Sequence, residues 1–428
     1  MASLKVIGGR ALTGTVHVEG NKNSALPLIA ACMLSDKPCE LSNVPRIRDV
    51  DVLLDLVESL GAQVEGRGTG TLRIHCERVT HNRPDPGLVG RLRGSVLLLG
   101  PILARFGSAR LAQPGGDFPA RRTISTHLFT LRAMGAVEVD EPGHALDAPD
   151  GLHGASMYLD EASVTGTETA LLAAAVAKGT SEIRHAAMEP HVIELCEFLQ
   201  SMGVGITGAG TPRIKVYPPD RLRPASHHLA GDYIEAGSWG VVAAITNGSI
   251  EVTGARTCDL EVIASPLKRM GLDCSIDNDT FSVAPSSLRA VRRITTGLWP
   301  GFPSDLVSLI TVLATQADGR TLVHDWLYEL RLFALEQMSA MRADLFLCDP
   351  HRIIVSGPTK LRGRTLDSRD LRSGMALIAA ALAAEGESRV TPLETVERGY
   401  ASLVERLRSL GAQVERVESE PFAVNSSR

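Results

Sequence analysis

Aromatic side chains make up only 4% of the 428 residues, too few for a platform on which successive nucleobases stack. No block of lysine and arginine stands out, and 44 basic against 49 acidic residues leave a net charge of −5. Nucleic acid is therefore not expected as a main partner. No apolar run reaches the ~18 residues that span a bilayer, and residues 1–6 lack a cationic stretch followed by an apolar one, so neither membrane nor secretory leader is expected. The seven cysteines (Cys32, Cys39, Cys76, Cys196, Cys258, Cys274 and Cys348) include no C-x-x-C pair. Scattered thiols in odd number suit a reducing cytoplasm better than a disulfide framework. A P-loop, a dinucleotide fingerprint, a zinc spacing and G-x-S-x-G are all missing, so no metal or nucleotide cofactor is expected and no serine hydrolase is indicated. The rest is ordinary globular material, 22% charged and 44% hydrophobic, long enough for two or three domains.

What is present is repetition. Apolar residues, then glycine, then a strand-like run recur six times, at Leu60-Gly61-Ala62, Met134-Gly135-Ala136, Met202-Gly203-Val204, Met270-Gly271-Leu272, Met341-Arg342-Ala343 and Leu410-Gly411-Ala412. The steps between copies are 74, 68, 68, 71 and 69 residues. Glycine suits the position because the backbone turns left-handed just past a helix end; Arg342 breaks the rule once. Roughly forty residues before each phrase lies a segment that is apolar all round, such as Ser24-Ala25-Leu26-Pro27-Leu28-Ile29 or Gly374-Met375-Ala376-Leu377-Ile378. A helix of that composition belongs inside a domain. Each unit reads as strand, buried helix, strand, amphipathic helix, strand. The period exceeds the ~20–45 residues of solenoids. The expected class is α/β, with three units in each of two domains the symmetric choice.

The residues opening the six buried helices carry the chemistry. They are Lys22-Asn23, Arg93-Gly94-Ser95, Ser163-Val164-Thr165, Asp232-Tyr233, Ser304-Asp305 and Asp370-Leu371-Arg372-Ser373. Helix N-termini present unpaired N–H groups and partial positive charge. Capping accounts for Ser95, Ser163 and Ser373. It does not account for Lys22, Arg93 and Arg372, because a cation there opposes the dipole. A ligand bearing phosphate or carboxylate gives them a reason. Residues 113–122 (Gln-Pro-Gly-Gly-Asp-Phe-Pro-Ala-Arg-Arg) join a two-glycine tip to proline-stiffened bases. That build suits a lid bringing Asp117, Arg121 and Arg122 to a site, and equally a solvated surface loop.

Taken together, these phrases resemble those of the enolpyruvyl transferases, nearly end to end. The specific ones are Lys22-Asn23-Ser24-Ala25-Leu26-Pro27, residues 99–107, Pro114-Gly115-Gly116-Asp117, Ser163-Val164-Thr165-Gly166-Thr167-Glu168, Phe302-Pro303-Ser304-Asp305 and Asp370-Leu371-Arg372. The resemblance implies two inside-out α/β barrel domains, each of three βαβαβ-type repeats, with the active site in the interdomain cleft. It places one domain at 22–229 with the mobile loop, and the other at 1–21 plus 230–428. It implies transfer of an enolpyruvyl group from phosphoenolpyruvate to a sugar hydroxyl by addition and then elimination of phosphate.

Residue by residue, Asp305 matches the base, Asp117 falls where the family's usual cysteine donates a proton, and Lys22 and Arg398 complete the catalytic set. Lys22, Arg93, Arg122, Arg331, Arg372 and Arg398 match the cations around phosphoenolpyruvate, with Asp370 beside them. Asn23, Arg93, Thr123, His127, Ser163, Val164, Thr165, Asp305 and Leu327 match the acceptor side; His127 fits either a nucleotide site or a satisfied loop. An aspartate donates a proton at neutral pH only if burial or crowding favours its acid form. The partners implied are phosphoenolpyruvate and a uridine nucleotide sugar, with the 3-hydroxyl of UDP-N-acetylglucosamine as acceptor, for a cytoplasmic step in peptidoglycan precursor synthesis. No cofactor or metal is implied, and a monomer or weak homo-oligomer is expected. The alternatives are another uridine nucleotide such as UMP, or a non-catalytic paralogue that binds a nucleotide sugar. Departures gather on the acceptor side: residues 122–127 lack the family's proline and aspartate, Tyr233 stands where arginine is common, and Leu330 replaces a small or amide residue.

Overall fold

A computed structural model of the chain describes residues 2–115 and 123–418. Asp117, Arg121 and Arg122 lie outside the described residues. Two compact units make up the molecule: Glu19–Asp232 with Leu298–Gly301 form one, and the chain up to Val18, Tyr233–Gly297 and the chain from Phe302 onward form the other.

The apolar segments form helices: α1 (Lys22–Cys32), α2 (Leu99–Phe106), α3 (Val164–Ala174), α4 (Tyr233–Ile245), α5 (Val307–Ala314) and α6 (Leu371–Ala383). α1 buries every residue from Ser24 to Cys32, α4 and α5 bury all of theirs, and α6 buries Arg372 through Leu382. Burial on every side explains the missing polar face. α2 is preceded by a 3-10 segment, Arg93–Leu98, so the second buried helix starts tightly wound. Within one unit α4, α5 and α6 pack on one another; in the other, α2 and its 3-10 lead pack on α3, and the lead also meets α1.

Six sheets surround these helices among the described residues, three in each unit. Five share one pattern: a parallel edge strand, then two antiparallel pairings. Ala225–His228 runs parallel to Cys39–Ser42, which pairs antiparallel with Thr71–His75, which pairs antiparallel with Gln63–Glu65. The pattern recurs from Ser156–Tyr158 to Gly205–Thr207, from Thr13–His17 to Asp273–Asp277 and from Arg293–Thr295 to Asp344–Asp349. In the fifth, Ala2–Ile7 sits between Glu387–Thr391 and Gln413–Glu418, so the start of the chain completes its last repeat. The sixth has three strands, Ser108–Leu111, His144–Asp147 and Val137–Glu138. Strands alternate buried and exposed residues, as Thr71–His75 does. One face of each sheet therefore meets the helices while the other meets solvent. Helices inside and sheets outside is the architecture expected, with one more strand than the sequence pattern suggested in five of the six repeats.

The six glycine-position residues do what their spacing implied. Gly61, Gly135, Gly203, Gly271 and Gly411 all have positive φ, and Arg342 joins them at 72°. In each copy the next residue's N–H returns to the helix, from Ala62 to Val57 O and from Ala343 to Met338 O for example. This is the Schellman closure of a helix C-terminus. Capping at the other end differs from expectation. Asn21, Ser163 and Asp370 accept from first-turn N–H groups, whereas Ser95 Oγ donates to Leu92 O and Ser373 Oγ approaches Arg331 O. Ser95 and Ser373 lie inside their turns and cap nothing.

Candidate active site

In the unit built on Glu19–Asp232, the start of α1 is fixed by Asn21, whose Oδ1 accepts from Asn23 N at 2.7 Å. Lys22 points its Nζ at Asp49 Oδ2, 2.6 Å away, and the Asp49 side chain is only 3% exposed. The cation at this N-terminus is thus balanced from the neighbouring helix Arg48–Ser59. Arg93 donates from Nη2 to the carbonyl of Thr123 at 2.7 Å, and Thr123 itself is exposed. Ser163 caps α3 through Gly166 N, with Val164 and Thr165 half-buried beside it. His127 is 2% exposed and uses both ring nitrogens, Nε2 with Thr165 Oγ1 at 3.2 Å and Nδ1 with Thr169 Oγ1 at 3.3 Å. Burial, then the nearby Arg93 and His144, push its pKa down to about 3. The ring is neutral and clamps the helix Ser125–Ala133 onto α3, fixing Thr165.

In the other unit, the carboxylate of Asp305 is held from both sides. Arg331 Nη1 reaches Oδ1 at 3.1 Å, while Arg372 Nε and Nη2 reach Oδ2 at 3.0 and 2.8 Å. Burial opposes the Arg331 charge, and Asp305, Asp325, Tyr328 and Asp370 outweigh it, so the guanidinium sits above its ordinary pKa. Its plane lies over the Tyr328 ring at 4.6 Å. Arg372 is 6% exposed and also donates toward Tyr400 Oη at 3.4 Å. Burial raises the Tyr400 pKa, so the phenol stays neutral. Asp370 caps α6 by accepting from Arg372 N and Ser373 N, which turns the Arg372 side chain toward Asp305. Arg398 is half-buried in the turn after the short helix Leu393–Val396. Leu327 is half-buried, and its N–H goes to Asp325 Oδ1 at 3.3 Å.

Of the residues picked from sequence, the structure joins Asp305, Arg331 and Arg372 in one unit, and His127 with Thr165 and Arg93 with Thr123 in the other. Three important partners were missed. Asp49 falls on the apolar stripe of its helix, with Val52, Leu53 and Leu56; an acid at a core position was a signal available to be read. Asp325 and Tyr400 carry no such mark.

A carboxylate between two guanidinium groups, inside a repeat-built α/β unit, has the chemistry suited to proton transfer beside an anion. The profile of the EPSP synthase family (3-phosphoshikimate 1-carboxyvinyltransferase) matches residues 6–407, and the chain belongs to that family. It is similar to the UDP-N-acetylglucosamine 1-carboxyvinyltransferase of Bradyrhizobium diazoefficiens, 40% identical with 97% of this chain and 99% of the relative covered. The protein of the same name from Treponema denticola is also 40% identical, covering 96% and 98%. Among solved structures, the enolpyruvyl transferase NikO of Streptomyces tendae superimposes with a TM-score of 0.88 at 25% identity, covering 98% and 99%. An EPSP synthase of Acinetobacter baumannii reaches 0.78 at 18% identity over 98% and 100%, and shares the fold.

Proposed function

We propose that this protein transfers the enolpyruvyl group of phosphoenolpyruvate to the 3-hydroxyl of UDP-N-acetylglucosamine and releases phosphate. The observation that carries the reading is Asp305, one oxygen on Arg331 and the other on Arg372, in a chain 40% identical over nearly its whole length to relatives named for that transfer. In the addition step the acceptor oxygen bonds to C2 of phosphoenolpyruvate, Asp305 takes the hydroxyl proton, and a proton is added at C3. In the elimination step a C3 proton leaves, the bond from C2 to the phosphate oxygen breaks, and the double bond returns. Phosphoenolpyruvate brings its own carboxylate and phosphate. These compete for the arginine N–H groups and loosen their hold on Asp305, which frees an oxygen for the incoming proton.

Lys22, Arg93, Arg122, Arg331, Arg372 and Arg398 neutralise the donor's two anionic groups, and Asp117 supplies the C3 proton. Asn23, Thr123, Ser163, Val164, Thr165 and Leu327 hold the acceptor, with His127 placing Thr165. The reaction belongs to peptidoglycan precursor synthesis in the cytoplasm; no helix among the described residues is long and apolar enough to cross a membrane.

Phosphate release by the purified chain, with phosphoenolpyruvate plus either UDP-N-acetylglucosamine or UMP, tests the proposal. Release with the nucleotide sugar is expected. Release with UMP alone moves the acceptor and leaves the chemistry, and release with neither, from a folded chain, overturns the enzyme reading. Asp305→Ala is expected to lose about 10²–10⁴ in kcat in a chain that still folds, at a lower melting temperature because Arg331 and Arg372 lose their counter-charge.

A further inference from the structure

The outer face of one sheet carries arginines that its own carboxylates do not balance. Its strands are Arg293–Thr295, Gly319–His324, Arg352–Gly357 and Asp344–Asp349. Thr321, Val323, Ile353 and Val355 are buried, so the residues alternating with them face outward. Register sets Arg293 beside Leu322, Leu322 beside Ile354 and Ile354 beside Phe346, one row across the sheet. Arg320 lies on one side of this row, His324 and Arg352 on the other. At the edge, Arg269, Val291, Arg292, Arg293 and Leu322 line a groove.

In four other sheets the outward cations are answered by carboxylates: Lys5 by Glu387, Arg73 by Glu65, Arg110 by Asp147 and Arg213 by Glu182. Here Arg352 has Asp349. Arg269, Arg292, Arg293 and Arg320 meet no carboxylate within ion-pair distance among the described residues, and Arg320 reaches only Ser356 Oγ at 3.4 Å. The acids of these strands, Asp344 and Asp349, both lie on the strand farthest from the groove. His324 feels the positive field: burial first, then Arg352, His351 and Arg293, push its pKa below the ordinary histidine value against Asp349. An arginine on an edge strand can guard against unwanted pairing, but Arg320 is on an interior strand and guards no edge.

Phe346 supplies the apolar part. In a chain only 4% aromatic, its ring is 68% exposed, above every other large hydrophobic residue described. Leu322 and Ile354 beside it are half-buried, so one ring protrudes rather than a broad patch. A protein partner calls for an apolar core and a matching shape. A lipid surface calls for neither: guanidinium groups pair with headgroup phosphates, and one ring enters the boundary between headgroups and acyl chains.

We infer that this sheet face docks the protein on an anionic membrane surface, with Arg269, Arg292, Arg293 and Arg320 on lipid phosphates and Phe346 at the acyl boundary. Such contact lies on the bilayer and needs none of the spanning length that the sequence lacks. The arginines come from three separated stretches of chain, which is why no basic block shows in the sequence. None of these residues is assigned to the transfer reaction.

Sedimentation of the full chain with vesicles tests the inference. Vesicles of equal parts phosphatidylglycerol and phosphatidylcholine at low ionic strength are expected to carry it down. Phosphatidylcholine alone should leave it in solution, and salt should release it from the mixed vesicles. Arg292→Gln/Arg293→Gln is expected to weaken partition about 25-fold, at about fivefold for each arginine. Phe346→Ser should weaken it about tenfold, through the lost burial of one ring. Arg73→Gln/Arg213→Gln removes the same charge from the faces of two other sheets and should bind like the wild type. All these positions are on the surface, and an unchanged circular dichroism spectrum checks that each variant folds. No sedimentation with the mixed vesicles, equal loss in the control pair, or wild-type binding by Arg292→Gln/Arg293→Gln or by Phe346→Ser overturns the inference. So does binding of polyglutamate as tight as that of the mixed vesicles, which assigns the face to an acidic protein segment instead.

Discussion

At the scale of single residues, His127 shows how burial decides a role that residue type leaves open. Its ring is held neutral by desolvation, and its pKa of about 3 lies well below the ordinary 6.5 of a histidine. Between these values the unfolded chain binds a proton that the folded one refuses, so stability rises with pH across that window. The contribution is complete above pH 6.5 and is lost as pH falls toward 3, at about 1.4 kcal/mol per pH unit. Replacing His127 with Gln should flatten the dependence of the urea midpoint on pH over this interval; an unchanged slope would show that other groups carry it. Lys22 makes a related point. Seen in sequence, its cation at a helix start called for an anionic ligand, and the structure supplies Asp49 as a standing counter-charge. Any incoming anion then competes with a buried carboxylate for Lys22.

At the scale of elements, the helix-closing turn explains both the glycines and the exception. A left-handed residue is needed after each amphipathic helix, and Arg342 meets that need at φ 72° despite its Cβ. An L side chain in that region costs about 1–2 kcal/mol, partly offset by the greater freedom glycine loses on folding. Arg342→Gly is therefore expected to stabilise the fold by about 0.5–1 kcal/mol, read as a higher denaturation midpoint; a lower one would mean that the arginine side chain makes up for its backbone. Leu330 is a second case, at φ 65°. The six helix-end phrases were legible because they answer a local backbone demand that shows in sequence as glycine. The returning hairpin strand of the four-stranded sheets, such as Thr71–His75 paired with Gln63–Glu65, was not, because five residues with two apolar positions leave alternation little room to register.

At the scale of the whole molecule, the chain makes one unit from three separated stretches. Ala2–Ile7 lies between two strands from the far end of the sequence. The two ends of Glu19–Asp232 run next to each other where the chain leaves and returns, with Gly20 bridged to Gly231 and Asp232 N bonded to Glu19 O. Joining Val18 to Tyr233 by a short Gly-Ser linker, with residues 19–232 removed, is therefore expected to give a soluble, cooperatively folding unit. The chain from Tyr233 onward without residues 1–18 is expected to aggregate, because its last sheet would be split by a missing interior strand. Circular dichroism and a urea transition on both proteins check this; equal behaviour would mean that Ala2–Ile7 is dispensable.

Periodicity and turn chemistry act over a few residues, so the number of repeats, the buried helices and the helix-end turns were all determined by the sequence alone. Asp305, Arg331 and Arg372 entered as candidate residues through the resemblance of the chain's motif phrases to those of the enolpyruvyl transferases. That Arg331 and Arg372 reach different oxygens of Asp305, that Asp49 answers Lys22, and that Asp325 stands behind Ser304 were decided only by the tertiary structure. Those facts depend on hydrogen-bond directions among groups 21 to 67 residues apart in the chain. No local pattern encodes such directions, because packing alone sets them.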